Sequence, residues 1–369
     1  MSEKIAVDPD YYKGKDEIVP SDFESSSISR ETTSLSSTIY KGIMENGRRY
    51  QNLKEGEYWG PADDQQFESY EAGHLTYLVV DSETPNPLFQ APITNPKTLT
   101  VNHNKHVLDV GTGRGSWAID VADMFPDATV RGVDLYPPPE KWLPPNCIME
   151  VDDVLQEWTW RDQFDLVHLR QMMGSFTIPE WDRFYKQCYD NIKPGGWIEQ
   201  MEGNPRVRCD DGSVPDDNSC LLFGLQCCDA ADNWGRPVTL ADNMKEELEK
   251  AGFVDVHVKE YKWPIGAWAK DPILKEAGRL HYHQWTSGME GWATFFLTKY
   301  GVPEPWTIEE VQVLMAKVRK EIQNPRSHIY QVARRVWGRK PTVEEEEARK
   351  KAKGAESKAK EIKEEPKDN

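Results

Sequence analysis

The chain of 369 residues has no stretch of about 18 apolar residues, so it offers no candidate membrane-spanning helix, and its first residues hold no apolar core of a secretory signal. Cysteine is scarce: six are present, none in a Cys-x-x-Cys pair, and the vicinal Cys227-Cys228 is the one close pairing. That pattern excludes a disulfide framework and a zinc site, and no metal is expected. Positive charge is also short, with 45 Lys and Arg against 62 Asp and Glu and a net charge of -17. A phosphate backbone requires a basic groove, so direct nucleic-acid binding is not expected. The deficit is not an end effect, because Glu344 to Asp368 carries blocks of both signs that nearly cancel. These absences leave a reduced, intracellular chain, cytoplasmic and without a membrane partner. Tryptophan, in contrast, is plentiful. Its 14 copies exceed what a core requires and suit a pocket for a flat organic molecule.

What is present begins at His106-Val-Leu-Asp-Val-Gly-Thr-Gly-Arg-Gly-Ser-Trp117, a buried strand running into a glycine turn and then a helix. Gly111, Gly113 and Gly115 stand at alternate positions, where the backbone can turn sharply and approach a ligand closely. A dinucleotide fingerprint would read G-x-G-x-x-G; here the order is D-x-G-x-G-x-G, with Asp109 two residues before the first glycine. That carboxylate can accept from a ligand ammonium group or hold the turn, and the arrangement suits the amino-acid end of S-adenosylmethionine. A second strand, Thr129 to Leu135, ends in Asp134, 19 residues beyond Gly115, where an acid meets a ribose in a β-α-β unit. A third, Cys147 to Val151, ends in Asp152-Asp153, placed to face an adenine amino group with the Val154 N–H beside the ring. The expected cofactor residues are Asp109, Gly111, Thr112, Gly113, Gly115, Asp134, Leu135, Asp152, Asp153 and Val154.

With these residues goes a set of further marks: Asn46-Gly-Arg-Arg-Tyr50, Ala91-Pro-Ile93, Pro145-Asn-Cys147, Phe164-Asp165, Lys193-Pro-Gly-Gly-Trp-Ile-Glu199, Ala251-Gly-Phe253 and Gly338-Arg-Lys-Pro341. From about Asn46 to Pro341 the chain resembles the fungal LaeA-like methyltransferases of the class I S-adenosylmethionine-dependent fold. The resemblance implies an α/β, Rossmann-like, doubly wound sheet with an antiparallel last strand and helical cap insertions. It also implies a methyltransferase with S-adenosyl-L-methionine as cofactor, acting in fungal secondary metabolism. Arg114 departs from the small or hydroxylated residue expected in such a glycine loop.

The organisation follows from composition and periodicity. Residues 1–40 are Ser-rich, with Ser25 to Ser29 and Glu31 to Thr38, and are expected to be disordered. Residues 41–100 form a helical extension or lid, in which Phe67, Tyr70, His74, Leu75 and Leu78 fall on one helix face. The catalytic domain spans 101–341. Its fourth strand is Phe164 to His168, its next helix Pro179 to Ile192 with Phe184, Cys188 and Ile192 on one stripe, and its fifth strand Trp197 to Met201. A strand Phe253 to Glu260 and a final strand His328 to Gly338 follow. Insertions at about 203–235 and 263–325, the second holding the capping box Thr307-x-x-Glu310, lie at the strand C-terminal ends and are placed to roof the acceptor pocket. Residues 342–369 read as a charged tail, a solvated helix or disordered, in which the Arg349-Lys-Lys351 cluster is read as a solvated segment ahead of a nuclear-import signal.

Methyl transfer from a sulfonium is an in-line displacement; the protein has to align donor and acceptor and exclude water. A base is needed only if the acceptor must lose a proton, and the candidates are His168 and Glu199, with Glu202, His281 and His283 behind them; His168 reads equally as a satisfied core imidazole and Glu199 as a support of the glycine loop or the cofactor. The fourth strand is followed by Arg-Gln-Met rather than an Asn-Pro-Pro-Tyr tetrapeptide, which disfavours base or glutamine methylation. Two functions from different classes remain: transfer to a small organic acceptor, or a regulator of secondary-metabolite genes that works through a protein partner, with nuclear residence.

Overall fold

In the computed structural model, residues 3–9, 11, 37–93, 105–139 and 142–352 are described. A short two-stranded hairpin, Ile43–Glu45 with Arg48–Tyr50, precedes helix α1 (Asp64–Val80). The sheet then begins with β1 (Lys105–Val110), α2 (Ser116–Met124), β2 (Ala128–Asp134), β3 (Cys147–Val151) and β4 (Phe164–Arg170). Helix α3 (Ile178–Asn191), β5 (Ile192–Cys209), α4 (Ser219–Trp234), α5 (Met244–Ala251) and β6 (Val254–Pro264) come next. The 29-residue α6 (Pro272–Tyr300), α7 (Ile308–Ile322) and β7 (Ile329–Arg339) complete the order.

The sheet runs β3-β2-β1-β4-β5-β7-β6, and β7 alone is antiparallel, lying between β5 and β6. The last strand therefore fills an interior position rather than an edge. This is the Rossmann-like α/β sheet that the glycine turn and the alternating strands imply. Central strands of a parallel sheet are covered on both faces and so read as continuous apolar runs. Val107, Leu108 and Val110 of β1 and Leu166, Val167 and Leu169 of β4 have no exposed surface. Trp117, Ala118 and Val121 of α2 cover one face, together with Leu88 and Phe89; Trp181, Phe184 and Cys188 of α3 cover the other.

Several expectations need correction at the ends and in the cap. Residues 3–9 are ordered: Val7 bridges Ala269, and Ile5 and Val7 pack against Trp268 and Tyr330. The serine runs from Ser25 to Ser36 lie outside the described residues, while Ser37–Lys41 forms a single helical turn. Residues 343–352 are helical, so the tail does not begin as coil, and the rest of it lies outside the described residues. Helix α1 does not bury one stripe. Leu75 and Leu78 are partly exposed, whereas Ser69, Ala72, Gly73, Thr76 and Tyr77 are buried with Phe67 and His74. The helix is clasped on two sides, and an amphipathic pattern cannot form where both sides are covered.

One of those sides is α6. Ser69 Oγ donates to the Gln284 carbonyl at 2.8 Å, and a Cβ on Gly288 would lie 2.3 Å from the Ser69 oxygen. Glycine here is a packing requirement, since any side chain would push the two helices apart. Gly278 works likewise against the Gly266 carbonyl, 2.2 Å from its Cβ position.

A buried cation fastens α1 to the sheet. Arg335 of β7 donates through Nη1 to Glu199 Oε1 and to the Leu88 carbonyl, and through Nη2 to Asp81 Oδ2 at 2.8 Å. Glu199 Oε2 accepts from the Gln90 and Ala91 N–H groups, both at 2.8 Å. Tyr261 Oη and Lys259 Nζ also bond Asp81. Removing one member of a buried ionic set leaves the others uncompensated, at about 3–5 kcal/mol. Arg335→Met is therefore expected to lower the unfolding free energy by about that amount in urea denaturation followed by far-UV dichroism; a loss below about 1 kcal/mol would show that the cluster contributes little.

Candidate functional site

The C-terminal ends of β1 to β4 open into a cleft with about 1190 Å³ of empty space, counting its mouth. Its floor is the turn after β1. Gly111 and Thr112 N–H groups donate to the Val133 carbonyl at 2.9 and 3.0 Å, which ties the turn to β2. Gly111, Gly113 and Gly115 all have positive φ (67°, 58° and 92°) but for different neighbours. A Cβ on Gly111 would strike Met172 Sδ at 2.3 Å, and one on Gly115 would meet Met149 Cε at 2.7 Å. At Gly113 the nearest atom is a Tyr70 ring carbon at 3.8 Å, so this residue faces the cleft.

Two carboxylates hold the turn, and they differ in kind. Asp109 is buried; its Oδ2 accepts from Thr112 Oγ1 at 2.7 Å and its Oδ1 from His168 Nδ1 at 2.8 Å. It does not border the cleft, so of its two expected uses the structure supports holding the turn. Asp134 does border it: Oδ2 accepts from the Gly113 N–H at 2.8 Å and Oδ1 from the Tyr136 N–H at 3.1 Å. Burial pushes its carboxyl up, against the pull of the Gly113, Tyr136 and Leu135 N–H groups. Each oxygen keeps a lone pair for a further donor.

Of the other sequence-expected cofactor residues, Thr112, Leu135, Asp152, Asp153 and Val154 also line the cleft with Gly111 and Gly113, whereas Gly115 sits behind the loop as the first cap of α2. Asp153 is fixed: burial would raise it, but the Gln156 amide, the Leu155 N–H and Lys54 together hold its carboxyl below the usual range. Lys54 Nζ lies 3.1 Å from its Oδ2 and so links β3 to the segment that covers the cleft.

Of the two readings of His168 and Glu199, their surroundings favour the structural one. His168 is buried, stacks on Trp117 with ring centroids 3.6 Å apart, and donates to Asp109. Burial lowers its affinity for a proton, and it lines no part of the cleft. Glu199 is held by Arg335 and two backbone N–H groups, also away from the cleft. Both are structural supports. Glu202 is a third: Oε1 accepts from the Met172 N–H at 3.0 Å and Oε2 from the Met173 N–H at 3.2 Å, which fixes the turn after β4.

The cover comes from the N-terminal extension. Gln51, Lys54, Tyr58 and Pro61 lie across the cleft with Tyr70 and His74 of α1. The Tyr58 and Tyr70 hydroxyls meet at 3.0 Å, and Ser116 Oγ donates to Glu71. Neither of the two later insertions borders this cleft. Sequence reasoning placed a helical extension or lid at residues 41–100 without saying which residues it would bring over the cleft, and it missed Arg170 at the end of β4. The Arg170 guanidinium lies over the Tyr77 ring at 4.8 Å and donates to His74 Nδ1 at 2.7 Å; His74 Nε2 in turn bonds Asp120 at 2.8 Å. Among the described residues no carboxylate bonds Arg170. The signal was a cation at the tip of the fourth strand, in the His168-Leu-Arg-Gln-Met172 run that stands where the tetrapeptide would be.

The interior antiparallel strand, the D-x-G-x-G-x-G turn and the acid at the tip of β2 define the class: a class I S-adenosylmethionine-dependent methyltransferase. Residues 89–258 match the family described as "Methyltransferase domain". The chain is 36% identical over 293 residues to methyltransferase pytC of Aspergillus terreus, covering 78% of this chain and 85% of that one. It is 33% identical over 291 residues to the secondary metabolism regulator LAE1 of Cochliobolus heterostrophus, covering 78% and 91%. Protein-methionine methyltransferase laeA of Emericella nidulans is 31% identical over 302 residues, covering 80% and 76%. The chain belongs to the fungal LaeA-like methyltransferases, and S-adenosylmethionine is its cofactor. A methyl acceptor follows from that class, and among the described residues no helix is long and apolar enough to cross a membrane.

Glu202 generates a pH test. Burial pushes its carboxyl up to about 7, against donors from Gln200, Met172 and Met173. In the unfolded chain a glutamate titrates near 4.3. Between these values the folded state keeps a proton that the unfolded state releases, so stability falls as pH rises through that window. Glu202→Gln is expected to flatten the fall in unfolding free energy between about pH 4.5 and 7, by on the order of 3 kcal/mol. Equal slopes in the two proteins would rule Glu202 out as the source.

Proposed function

We propose that the cleft holds S-adenosylmethionine with its ribose hydroxyls on Asp134, its adenine beside Asp152, Asp153 and Val154, and its amino-acid end over Gly111, Thr112 and Gly113. The observation that carries this reading is Gly113: left-handed, facing the cleft, its N–H on the same carboxylate that a ribose would use. Two further features fit. Ser175 Oγ borders the cleft, buried and without a partner. Arg170, a half-buried cation that no carboxylate bonds among the described residues, suits the cofactor's carboxylate. The cofactor supplies the electrophilic methyl group. The protein contributes alignment and dryness: the Tyr58–Tyr70 pair and the Lys54–Asp153 link hold the cover shut, and the Glu202-fixed turn sets the far wall.

We further propose a small organic acceptor in fungal secondary metabolism. Three relatives' names frame the alternatives. PytC is named simply a methyltransferase, LAE1 a regulator, and the Emericella laeA a protein-methionine methyltransferase. The second reading is accordingly a regulator that methylates or binds a protein partner. The small-molecule reading is favoured because the space next to the cleft is lined by aromatic rings and by no charged side chain.

Gly113→Asp forces an acidic side chain into a left-handed position beside Asp134. Calorimetric titration with S-adenosylhomocysteine is expected to show binding by the wild type and at least a 30-fold loss in the variant, about 2 kcal/mol. Arg170→Leu is expected to weaken binding about tenfold by removing the carboxylate partner. Unchanged affinity in both variants, with native dichroism spectra, would overturn this placement of the cofactor.

A further inference from the structure

A second cavity, with about 630 Å³ of empty space counting its mouth, lies behind the turn that follows β4. The wall between it and the cleft is thin. Tyr58, Gly60 and Met172 border the cleft, while their neighbours Trp59 and Met173 border the second cavity, and Gln171 borders both. Trp59 Nε1 donates to the Met173 carbonyl at 2.8 Å and so joins the two layers of that wall. Gln171 has φ 54°, a left-handed conformation uncommon for a residue with a side chain, and its N–H is held by the Met201 carbonyl at 3.0 Å. A strained polar residue standing in the wall between two cavities is a feature to associate with function.

The lining has two properties that select a ligand. First, it is aromatic and carries no charge. Trp59, Phe223, Trp263, Trp285, Trp292 and Phe296 supply its rings, and no Asp, Glu, Lys or Arg borders it. At His281, burial lowers the imidazole to about 4, against the pull of its Nδ1 contact with the Pro264 carbonyl at 3.0 Å and its Nε2 contact with Gln331 Oε1 at 2.9 Å; Trp285 Nε1 lies 3.2 Å from the same Nε2. An ammonium or carboxylate would have to be buried here without a counter-charge. Second, three polar atoms among these residues are buried and unpartnered: the indole Nε1 of Trp263, the indole Nε1 of Trp292, and Gln284 Oε1. Buried polar groups in a native protein are nearly always satisfied, so two donors and one acceptor left open around a cavity describe a missing ligand.

Resting on the cofactor reading above, we infer that this second cavity is the methyl-acceptor chamber and that it takes an uncharged, flat aromatic molecule bearing a hydroxyl. The rings stack on the indoles. A hydroxyl gives its proton to Gln284 Oε1 and offers lone pairs to an indole N–H, so one group meets both kinds of open valence. A methionine side chain from a protein fits the apolar lining less well: it has no proton for Gln284, and its sulfur is only a weak acceptor for the indoles.

The test uses the full chain saturated with S-adenosylhomocysteine, titrated by calorimetry with 1-naphthol, 1-naphthoate, 1-naphthylmethylammonium and N-acetylmethionine amide. Naphthol is expected to bind about tenfold or more tightly than either charged analogue and than the methionine amide. Gly203 borders the cavity, and its Cβ position has no atom within 4 Å, so Gly203→Leu fills the space without a clash. It is expected to weaken naphthol at least tenfold with homocysteine-ligand affinity within about twofold of wild type. Trp292→Phe keeps the ring and removes one donor, and is expected to cost about fivefold. The inference is overturned if naphthol does not bind, if the charged analogues bind as well, if the methionine amide binds more tightly, or if both variants leave naphthol affinity unchanged. Failure of S-adenosylhomocysteine itself to bind would sink the cofactor reading, and the naphthol titrations repeated on the ligand-free chain would still decide the chamber separately.

Discussion

The geometry of the site depends on one buried cation. Arg335 has almost no exposed surface and lies between Asp81 and Glu199, which have none. Its charge is tolerable in that setting because two carboxylates and a carbonyl receive its donors, and Lys259 adds a second cation against Asp81. The arrangement joins three parts of the chain that the sequence keeps far apart: the C-terminal end of α1, the Leu88 to Ala91 segment, and the β5–β7 ladder. Because α1 also carries Tyr70 and His74 over the glycine turn, the position of the cleft cover is set by an ion cluster at the C-terminal end of that helix.

The turn itself is held by a division of labour between Asp109 and Asp134. Asp109 lies under the loop with its oxygens on Thr112 and His168, and His168 is clamped flat against Trp117. Rigidity is therefore built below the backbone, and Asp134 above it keeps lone pairs for a ligand. The same economy recurs after β4. Glu202 fixes the N–H groups of Met172 and Met173 from within the core, so that Arg170 and Gln171 face their cavities on a settled backbone. A site whose supports are buried and whose outward groups are few is preorganised, which is the main contribution a protein makes to a displacement reaction.

What could be read from the residues follows a physical boundary. The glycine turn was legible because backbone geometry restricts which residues can stand there, and the acids at the tips of β2 and β3 because of their distance from it, whereas the antiparallel last strand came from the family resemblance alone. Gly111, Gly113 and Gly115 all proved to need positive φ. The capping box at Thr307 and Glu310 was legible for the same reason, and both of its hydrogen bonds are present. The packing of the cover and the cap was not. Helix α1 is buried on two sides, so its apolar residues lose the single stripe that marks an amphipathic helix. The long α6, clasped by α1, α4, α7 and β6, reads equally irregularly, and its glycines at 278 and 288 look like breaks when they are close contacts. His168 and Glu199 were read as bases because both titrate and lie at strand ends; only tertiary packing reveals that their partners are already in place.

The two cavities have separate origins in the chain, and this bears on how one family accommodates members named for different roles. The cofactor cleft is made from the sheet tips and the extension before β1. The second cavity is made chiefly from the continuation of β5, from α4 and from α6, all of which lie in the two insertions. They meet at residues 58–60 and 171–173. Changes in the insertions can thus reshape the second cavity without moving Asp134, Gly113 or the N–H groups around them. Conversely, the Glu202-held turn belongs to both walls, so a change there would alter donor and acceptor positions together. On this reasoning the residues that distinguish acceptors should be sought in α4 and α6, and those that decide whether transfer occurs at all should be sought in the shared wall, with Gln171 at its centre.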